Sequence, residues 1–338
     1  MIYSKKLKGF AAITALTSAV FLAACGGDES GSGDEESTKT FKIAHVTQET
    51  HIWHQTAEKF GEELEKLSDG KMKVEIYPAS QLGQEKDMVQ QLETGSLDFG
   101  FLTNAYMSTR EVSLNAWFMP FVFPTISDAN EMRDAESTKK ILDTLDSQGL
   151  VAFDFVFAGN RHVLLNDGFV QSPADLKGKK LRIVGSPAMQ EFWEKAGAGP
   201  TAMPLSEVYT SLQTGVIDGI DIDLDALVTE KYYENAENLT LTNQMAFPAI
   251  LTMSQSSFDA LSTEEQEIVT EAIDIAADWG NEEAIKREET NLQTLKDAGV
   301  KVEELKDSST FDEVSNSVID KYSTESELIK EFLVEAQK

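Results

Sequence analysis

Apolar and polar positions in the first third of the chain follow two different periods. Alternation over residues 41–46 and 71–77 predicts two β-strands, and the segment 97–101, with Leu97, Phe99 and Phe101 at alternate positions, predicts a third. Apolar residues at helical spacing predict a helix over 53–67 and a second helix that ends at Gly95. Because strands separated by helices of this length form βαβ units, the pattern predicts an open α/β sheet.

A second set of strands and helices follows an aromatic strand that is predicted at 151–157. Strands are predicted over 180–184 and 216–220, and helices over 188–196 and 205–213. A chain of 338 residues is longer than one hydrophobic core usually supports. The two sets therefore predict two lobes, each a mixed sheet flanked by helices.

One long helical pattern follows the capping box Ser262-Thr263-Glu264-Glu265 and continues towards Leu295. At 1.5 Å per residue such a helix exceeds about 40 Å, which is longer than one lobe is wide. We therefore expect it to brace both lobes. The predicted division of the chain places these ranges in lobe I and then in lobe II: 41–159 plus 248–287, and 160–247 plus 288–338.

The N-terminal residues 1–24 have the composition of a secretory signal peptide, a basic segment followed by an apolar run. That run is shorter than the roughly 20 residues that a membrane-spanning helix needs. Leu22-Ala23-Ala24-Cys25 resembles a bacterial lipobox, which predicts lipidation of Cys25; the alternative is an ordinary signal peptide with a coincidental cysteine. Residues 25–40 lack a run of apolar residues and predict a flexible acidic linker.

Composition and absent motifs exclude several classes of function. Cys25 is the only cysteine, so disulfides, thiolate metal sites and a cysteine nucleophile are not available to the mature protein. The formal net charge of −29 disfavours nucleic acid as a partner, because phosphate contacts require clustered Lys and Arg. The sequence also lacks the Gly-x-Ser-x-Gly, His-Glu-x-x-His, phosphate-loop and dinucleotide motifs. We therefore expect a binding protein without a cofactor or a metal, rather than an enzyme.

Two of the five arginines lie in positions that suit an anion. Arg182 lies in an apolar strand just before a helix that begins at Ser186-Pro187, where free backbone N–H groups favour negative charge. Arg161 follows the aromatic strand, at the predicted crossing between the lobes. A guanidinium matches the geometry of a carboxylate, so both are candidates for binding an organic acid. The alternative for each is a salt bridge to one of the protein's own acids.

Two clusters resemble metal sites only superficially. The acidic run that begins at Asp218 lacks the central Gly and terminal Glu of a calcium-binding loop, and a strand-end carboxylate such as Asp221 is better suited to orient ligand hydroxyls. His51 and His54 are spaced three residues apart, which alone is weak evidence for a metal. A histidine at the surface or in contact with the ligand is the alternative.

Four motifs, in order along the chain, closely resemble the solute-binding subunits of tripartite ATP-independent periplasmic (TRAP) transporters. They are Tyr77-Pro78-Ala79-Ser80-Gln81-Leu82-Gly83, Gly95-Ser96-Leu97-Asp98, the segment 175–183 and the segment 203–219. The resemblance implies a two-lobed periplasmic-binding-protein-like fold that closes over one organic acid. It also implies a TRAP membrane permease as the partner and an extracytoplasmic location. The lipobox-like segment separately predicts that the protein is anchored to the bacterial membrane through Cys25.

The resemblance assigns further residues to the site. It implies that Arg182 pairs with the ligand carboxylate and that Arg161 is a second common arginine. Glu49 and His51 occupy a loop that reaches the ligand in many members, and the segment after the third strand contributes Asn104, with its neighbours Thr103 and Tyr106.

One departure from the family pattern concerns the ligand. Ile222 stands where sialic-acid-binding members carry an asparagine, and Leu205 stands where an aromatic residue often stacks. A smaller or differently hydroxylated acid is therefore expected. The alternatives to a transport receptor are a sensor that presents its ligand to a membrane signalling protein, which would use the same fold, and an extracellular enzyme.

Overall fold

The computed structural model describes residues 38–338. The predicted signal peptide, Cys25 and nearly all of the predicted linker lie outside the described residues. Within them, eleven strands form two sheets. The strands are β1 Lys39–Ala44, β2 Met72–Tyr77, β3 Phe99–Thr103, β4 Leu150–Asn160, β5 His162–Leu165, β6 Lys180–Ile183, β7 Gly199–Ala202, β8 Gly219–Ile222, β9 Asn238–Leu241, β10 Ala246–Ser254 and β11 Lys301–Glu304.

Twelve α-helices and five short 3-10 helices surround the two sheets in the described part of the chain. The α-helices are α1 Ile52–Leu67, α2 Glu85–Glu93, α3 Asn104–Met107, α4 Ile126–Glu131, α5 Glu136–Asp143, α6 Pro187–Lys195, α7 Leu205–Gln213, α8 Leu224–Thr229, α9 Gln255–Asp259, α10 Thr263–Asp297, α11 Asp312–Glu325 and α12 Glu327–Glu335. The 3-10 helices are Val112–Phe118, Thr144–Gln148, Pro173–Leu176, Tyr232–Glu234 and Ser308–Phe311.

Both sheets are mixed, and each belongs to one lobe. The first has the strand order β2-β1-β3-β10-β4, in which β1 pairs in parallel with β2 and β3 while β10 runs antiparallel to β3 and β4. The second has the order β11-β9-β5-β8-β6-β7, in which β6 is parallel to β7 and β8. The prediction of two α/β lobes with mixed sheets is confirmed.

The chain passes between the lobes at Arg161, the single residue that separates β4 of the first sheet from β5 of the second. It returns between β9 and β10, where the Met245 carbonyl accepts the Arg161 backbone N–H at 2.7 Å. Arg161 therefore lies where two connecting segments run side by side.

The long helix α10 has 35 residues and packs against α1 and β4 of the first lobe and α8 of the second, so the predicted brace is confirmed. At 1.5 Å per residue it is about 52 Å long. Gly280 lets it approach α1 closely, since a Cβ at this position would collide with the Thr56 side chain. No described helix is long and apolar enough to cross a membrane.

The C-terminal helices contact both lobes. α11 packs against α6, whereas α12 packs against α5 and the 3-10 helix Val112–Phe118 of the first lobe. Phe332 of α12 contacts Trp117 with their ring centroids 4.8 Å apart. The sequence-based division places 288–338 as a whole in lobe II, whereas α12 has its main contacts with lobe I. The rest of the predicted division stays a prediction.

Candidate functional site

A cavity of about 290 Å³ lies between the two lobes. Its wall is formed by the loop before α1, the start of α2, the end of β3, the start of α8 and the segment from β6 to α7. The side chains that could bind a polar ligand there include Arg161, Arg182, His51, Glu85, Thr103 and Tyr106.

Arg182 lies on β6, between β7 and β8, and is 1% exposed. Its Nε and Nη2 both donate hydrogen bonds to the Met203 carbonyl, at 3.0 and 2.8 Å. Its Nη1 is buried and has no hydrogen-bond partner among the described residues, and none of their carboxylates forms an ion pair with the guanidinium. Burial lowers the pKa of Arg182 to about 10, so it remains a cation at neutral pH. A charged group with unpaired N–H bonds is thus aimed at the cavity.

Arg161 is equally buried, but its charge is already paired. Its Nε donates to Asp221 Oδ1 at 2.5 Å, its Nη1 donates to Asp223 Oδ2 at 3.0 Å, and its Nη2 donates to the Asp221 carbonyl. The guanidinium lies 4.1 Å from the ring centre of Phe247. Since a guanidinium has five N–H bonds, two remain for a ligand. The salt-bridge alternative therefore describes Arg161 and does not describe Arg182.

Asp221 lies behind Arg161 rather than in the cavity wall, and it is completely buried. In addition to Arg161, its carboxylate accepts hydrogen bonds from Trp193 Nε1 at 2.6 Å and Gln244 Nε2 at 3.2 Å. Successive side chains of a strand point to opposite faces, and it is Ile222, the next residue of β8, that lines the cavity. Asp221 thus holds Arg161 in place from within the lobe.

Of the residues predicted in the loop after β1, the structure brings His51 to the cavity and leaves Glu49 exposed outside its wall. His51 caps α1, since its Nδ1 accepts the Trp53 backbone N–H at 3.1 Å. Its Nε2 lies 3.6 Å from Asp225 Oδ2. Burial lowers the pKa of His51 below its usual value, which favours the neutral ring at pH 7.

Asn104 does not line the cavity, although its neighbours Thr103 and Tyr106 do. It is fully buried, and its Nδ2 donates to the Leu114 carbonyl at 2.8 Å. Its Oδ1 has no hydrogen-bond partner within the described chain. Asn104 therefore ties the first turn of α3 to the 3-10 helix Val112–Phe118.

Sequence reasoning missed Glu85, which lines the cavity from the first position of α2. Its Oε1 accepts the Thr103 backbone N–H at 2.7 Å, and burial raises the pKa of Glu85 to about 7. Glu85 lies two residues after Gly83, the end of the first family motif, but nothing in the sequence pattern distinguishes it from the rest of the 58 Asp and Glu residues of the chain.

The acidic run of β8 and α8 is occupied by internal partners. Asp218 accepts the Lys180 backbone N–H, Asp221 and Asp223 hold Arg161, and Asp225 accepts hydrogen bonds from Ile52 N–H and Arg287 Nε at 2.8 and 2.7 Å. Across residues 38–338, no three His, Cys, Asp or Glu side chains converge in a way that could hold a metal ion. Asp225 instead joins α8 of the second lobe to α1 and α10.

Two hydrogen bonds also join the lobes beside the cavity. Gln48 Nε2 donates to Glu230 Oε2 at 3.3 Å, and Gln84 Nε2 donates to Ser206 Oγ at 3.4 Å. Gln48 and Gln84 belong to the first lobe, and Glu230 and Ser206 to the second. The two lobes are therefore in direct contact beside the cavity.

Comparison with known proteins gives a consistent result. Residues 43–325 match the family described as bacterial extracellular solute-binding protein, family 7. A solute-binding protein of Roseobacter denitrificans is 30% identical over 281 residues, which is 81% of each chain. The 2,3-diketo-L-gulonate-binding periplasmic protein YiaO of Escherichia coli is 26% identical and covers 85% of this chain and 88% of its own.

The fold matches solved structures of the same kind. A TRAP periplasmic solute-binding protein from Sulfitobacter sp. NAS-14.1, crystallised with β-D-galacturonate, superposes with a TM-score of 0.82. It is 28% identical in sequence, and the match covers 87% of this chain and 98% of that protein.

Proposed function

The chain belongs to family 7 of the bacterial extracellular solute-binding proteins, and on that basis we propose that it captures an organic acid between its lobes and delivers it to a TRAP-type transporter. Members of this family are binding proteins rather than enzymes, and they work outside the cytoplasm. The proposal concerns the ligand, the residues that hold it and the membrane partners of this chain.

The observation that supports an acidic ligand best is the state of Arg182. A buried cation with an unpaired Nη1 lines the cavity, and the other cavity arginine is neutralised by protein carboxylates. Burying a carboxylate without a partner would cost several kcal/mol, and so would leaving the guanidinium unpaired. A ligand carboxylate bound to Arg182 gives both the carboxylate and the guanidinium an ion-pair partner. A neutral analogue would leave the guanidinium without one.

We propose direct ligand contacts for Arg182, for the two free N–H bonds of Arg161 and for His51, all of which line the cavity. Asp221 acts through Arg161, which it positions, and Asn104 supports the wall segment that carries Thr103 and Tyr106. Glu49 is exposed outside the wall, and we propose no ligand contact for it.

The proposed ligand class is a sugar acid. The relative from Escherichia coli is named for 2,3-diketo-L-gulonate, and the structure from Sulfitobacter holds galacturonate. Both ligands are six-carbon acids that carry one carboxylate. The cavity volume of about 290 Å³ lies at the small end of ligand-binding cavities, which suits a compact ligand of this kind.

The ligand proposal is tested by thermal unfolding with a panel of sugar acids, keto acids and dicarboxylates, followed by calorimetry. A ligand at 100 times its dissociation constant adds about 2.7 kcal/mol to stability, which is enough to raise Tm by a few degrees. Arg182→Gln should abolish the shift. Arg110→Gln is the matched control, because Arg110 forms a partly exposed pair with Glu93 away from the cavity. Near-native affinity in Arg182→Gln would refute the assignment.

We further propose that Cys25 carries a lipid anchor that holds the protein on the membrane beside the permease. The Leu22-Ala23-Ala24-Cys25 segment supports this proposal, and no second cysteine is available for acylation. Cys25→Ser should move the protein from the membrane fraction to the soluble fraction of cells without changing ligand affinity. An unchanged membrane fraction would contradict the anchor and leave the ligand proposal intact.

A further inference from the structure

The charges that line the cavity are not balanced between its two lobes. The second lobe supplies Arg182, which is unpaired, and Arg161, which two carboxylates neutralise. The first lobe supplies the carboxyl group of Glu85. The other basic side chain in the wall is that of Lys86, which is exposed at the rim. The cavity wall therefore offers one cation, Arg182, and one acid, Glu85, that form no ion pair within the described residues.

Glu85 and Arg182 face the same cavity without pairing with each other. Their charges interact electrostatically, yet they form no ion pair within the described residues. The Glu85 carboxyl is held in the wall by the Thr103 backbone N–H at 2.7 Å. A ligand that spans the space between the two groups would meet a cation at one end and a carboxylate at the other.

We propose that Glu85 determines specificity for acids with a single carboxylate and several hydroxyl groups. A ligand hydroxyl donates a hydrogen bond to Glu85 while the ligand carboxylate lies on Arg182, and a second carboxylate at the far end of the ligand is repelled. This inference rests on the proposed function and narrows its ligand class, because it excludes dicarboxylates of the same length.

Two physical effects act in the same direction. A hydrogen bond to a charged acceptor inside a protein is stronger than one between neutral groups. Two carboxylates that share a poorly hydrated site cannot both stay ionised without a large free-energy penalty. A hydroxyl in place of the second carboxylate therefore gains one interaction and avoids an unfavourable one.

The test is calorimetric titration of the purified chain at pH 8, where Glu85 is mostly ionised, with two matched pairs of open-chain acids, D-galactonate with galactarate and D-gluconate with D-glucarate. In each pair the diacid differs only in having a carboxylate in place of the terminal CH₂OH. The unmodified chain should bind a monoacid at least tenfold more tightly than its diacid. Glu85→Gln should weaken the monoacid and strengthen the diacid by about tenfold each.

Control variants separate this inference from the proposed function. Glu85→Asp keeps the charge and should keep the diacid excluded, and Glu62→Gln removes an exposed acid of α1 and should change neither affinity. A ratio of affinities that is unchanged in Glu85→Gln, or a native preference for the diacid, overturns the role of Glu85 alone. Binding that survives in Arg182→Gln overturns the proposed function, and failure of all four acids to bind the unmodified chain overturns the sugar-acid class and this inference together.

Discussion

Removal of the Arg161 guanidinium should destabilise the protein even without a ligand. Arg161 is 1% exposed, and the two carboxylates with which it pairs, Asp221 and Asp223, are 0% and 1% exposed. Removing one partner of a buried ion pair typically costs 3–5 kcal/mol, because the remaining charge is left without compensation. Trp193, Gln244 and the Ala226 N–H still donate to these carboxylates, which places the expected loss near the lower end.

We therefore expect Arg161→Met, which keeps an apolar stem of similar length, to lower the free energy of unfolding by about 3 kcal/mol. Urea unfolding of the ligand-free protein measures this as a lower midpoint with an unchanged slope. Arg110→Met is the control. It removes the partly exposed pair with Glu93 and should cost less than about 1 kcal/mol.

A background variant tests the cause of the loss. In Asp221→Asn/Asp223→Asn the two buried carboxylates are already neutral, so the further change Arg161→Met should cost much less than it does in the native background. A loss below about 1 kcal/mol in the native background, or an equal loss in both backgrounds, would refute the view that Arg161 serves first to neutralise these acids.

Three further predictions concern other positions. Because burial raises the pKa of Glu85 to about 7, lowering the pH from 8 to 6 should neutralise it and strengthen galactarate relative to galactonate, and calorimetry should find this pH dependence abolished in Glu85→Gln. Burial also raises the pKa of Glu288 to about 8, above its value in the unfolded chain, so this residue removes stability as the pH rises towards 8. Glu288→Gln should accordingly be more stable than the native protein by about 1 kcal/mol or more at pH 8 and by little at pH 5, and equal stability at both would contradict the burial. Gly280→Ala should lower stability by about 1–3 kcal/mol, because its Cβ would collide first with Thr56 Oγ1. Thr56→Ala removes that atom and should recover part of the loss in thermal unfolding if this contact is the cause.

The elements that could be predicted from sequence are those whose pattern is local. The helix predicted over 205–213 is α7, Leu205–Gln213, without any shift, and the long helix begins at Thr263, directly after its predicted capping residue. The strand predicted at 216–220 instead forms at Gly219–Ile222, because Thr214 ends α7 and Gly215 turns the chain with a φ of +71° before a strand can begin. The apolar residues Val216 and Ile217 lie in this turn, although their pattern predicts a strand.

The pairing of strands and the position of the C-terminal helices could not be predicted, because both depend on contacts between residues that are far apart in the sequence. β10 lies between β3 and β4, which are formed by residues about 100 to 150 positions earlier. α12 lies on the first lobe, where Phe332 reaches Trp117. Such contacts have no local period, so the sequence pattern does not indicate them.

The sequence by itself determined that this protein has two α/β lobes, a long bracing helix, a strongly negative net charge and two arginines near a predicted interlobe site. Only the tertiary structure decided which arginine keeps a free charge. β5 pairs antiparallel with β8, which brings Asp221 and Asp223 onto Arg161, while Arg182 on β6 meets the Met203 carbonyl and the cavity. The tertiary structure also decided that Glu85, one of 58 acidic residues, lines the cavity. The periodicity of apolar residues indicates which face of a helix or strand is buried. Whether a buried charge has an ion-pair partner depends on the groups that folding brings within a few ångströms of it.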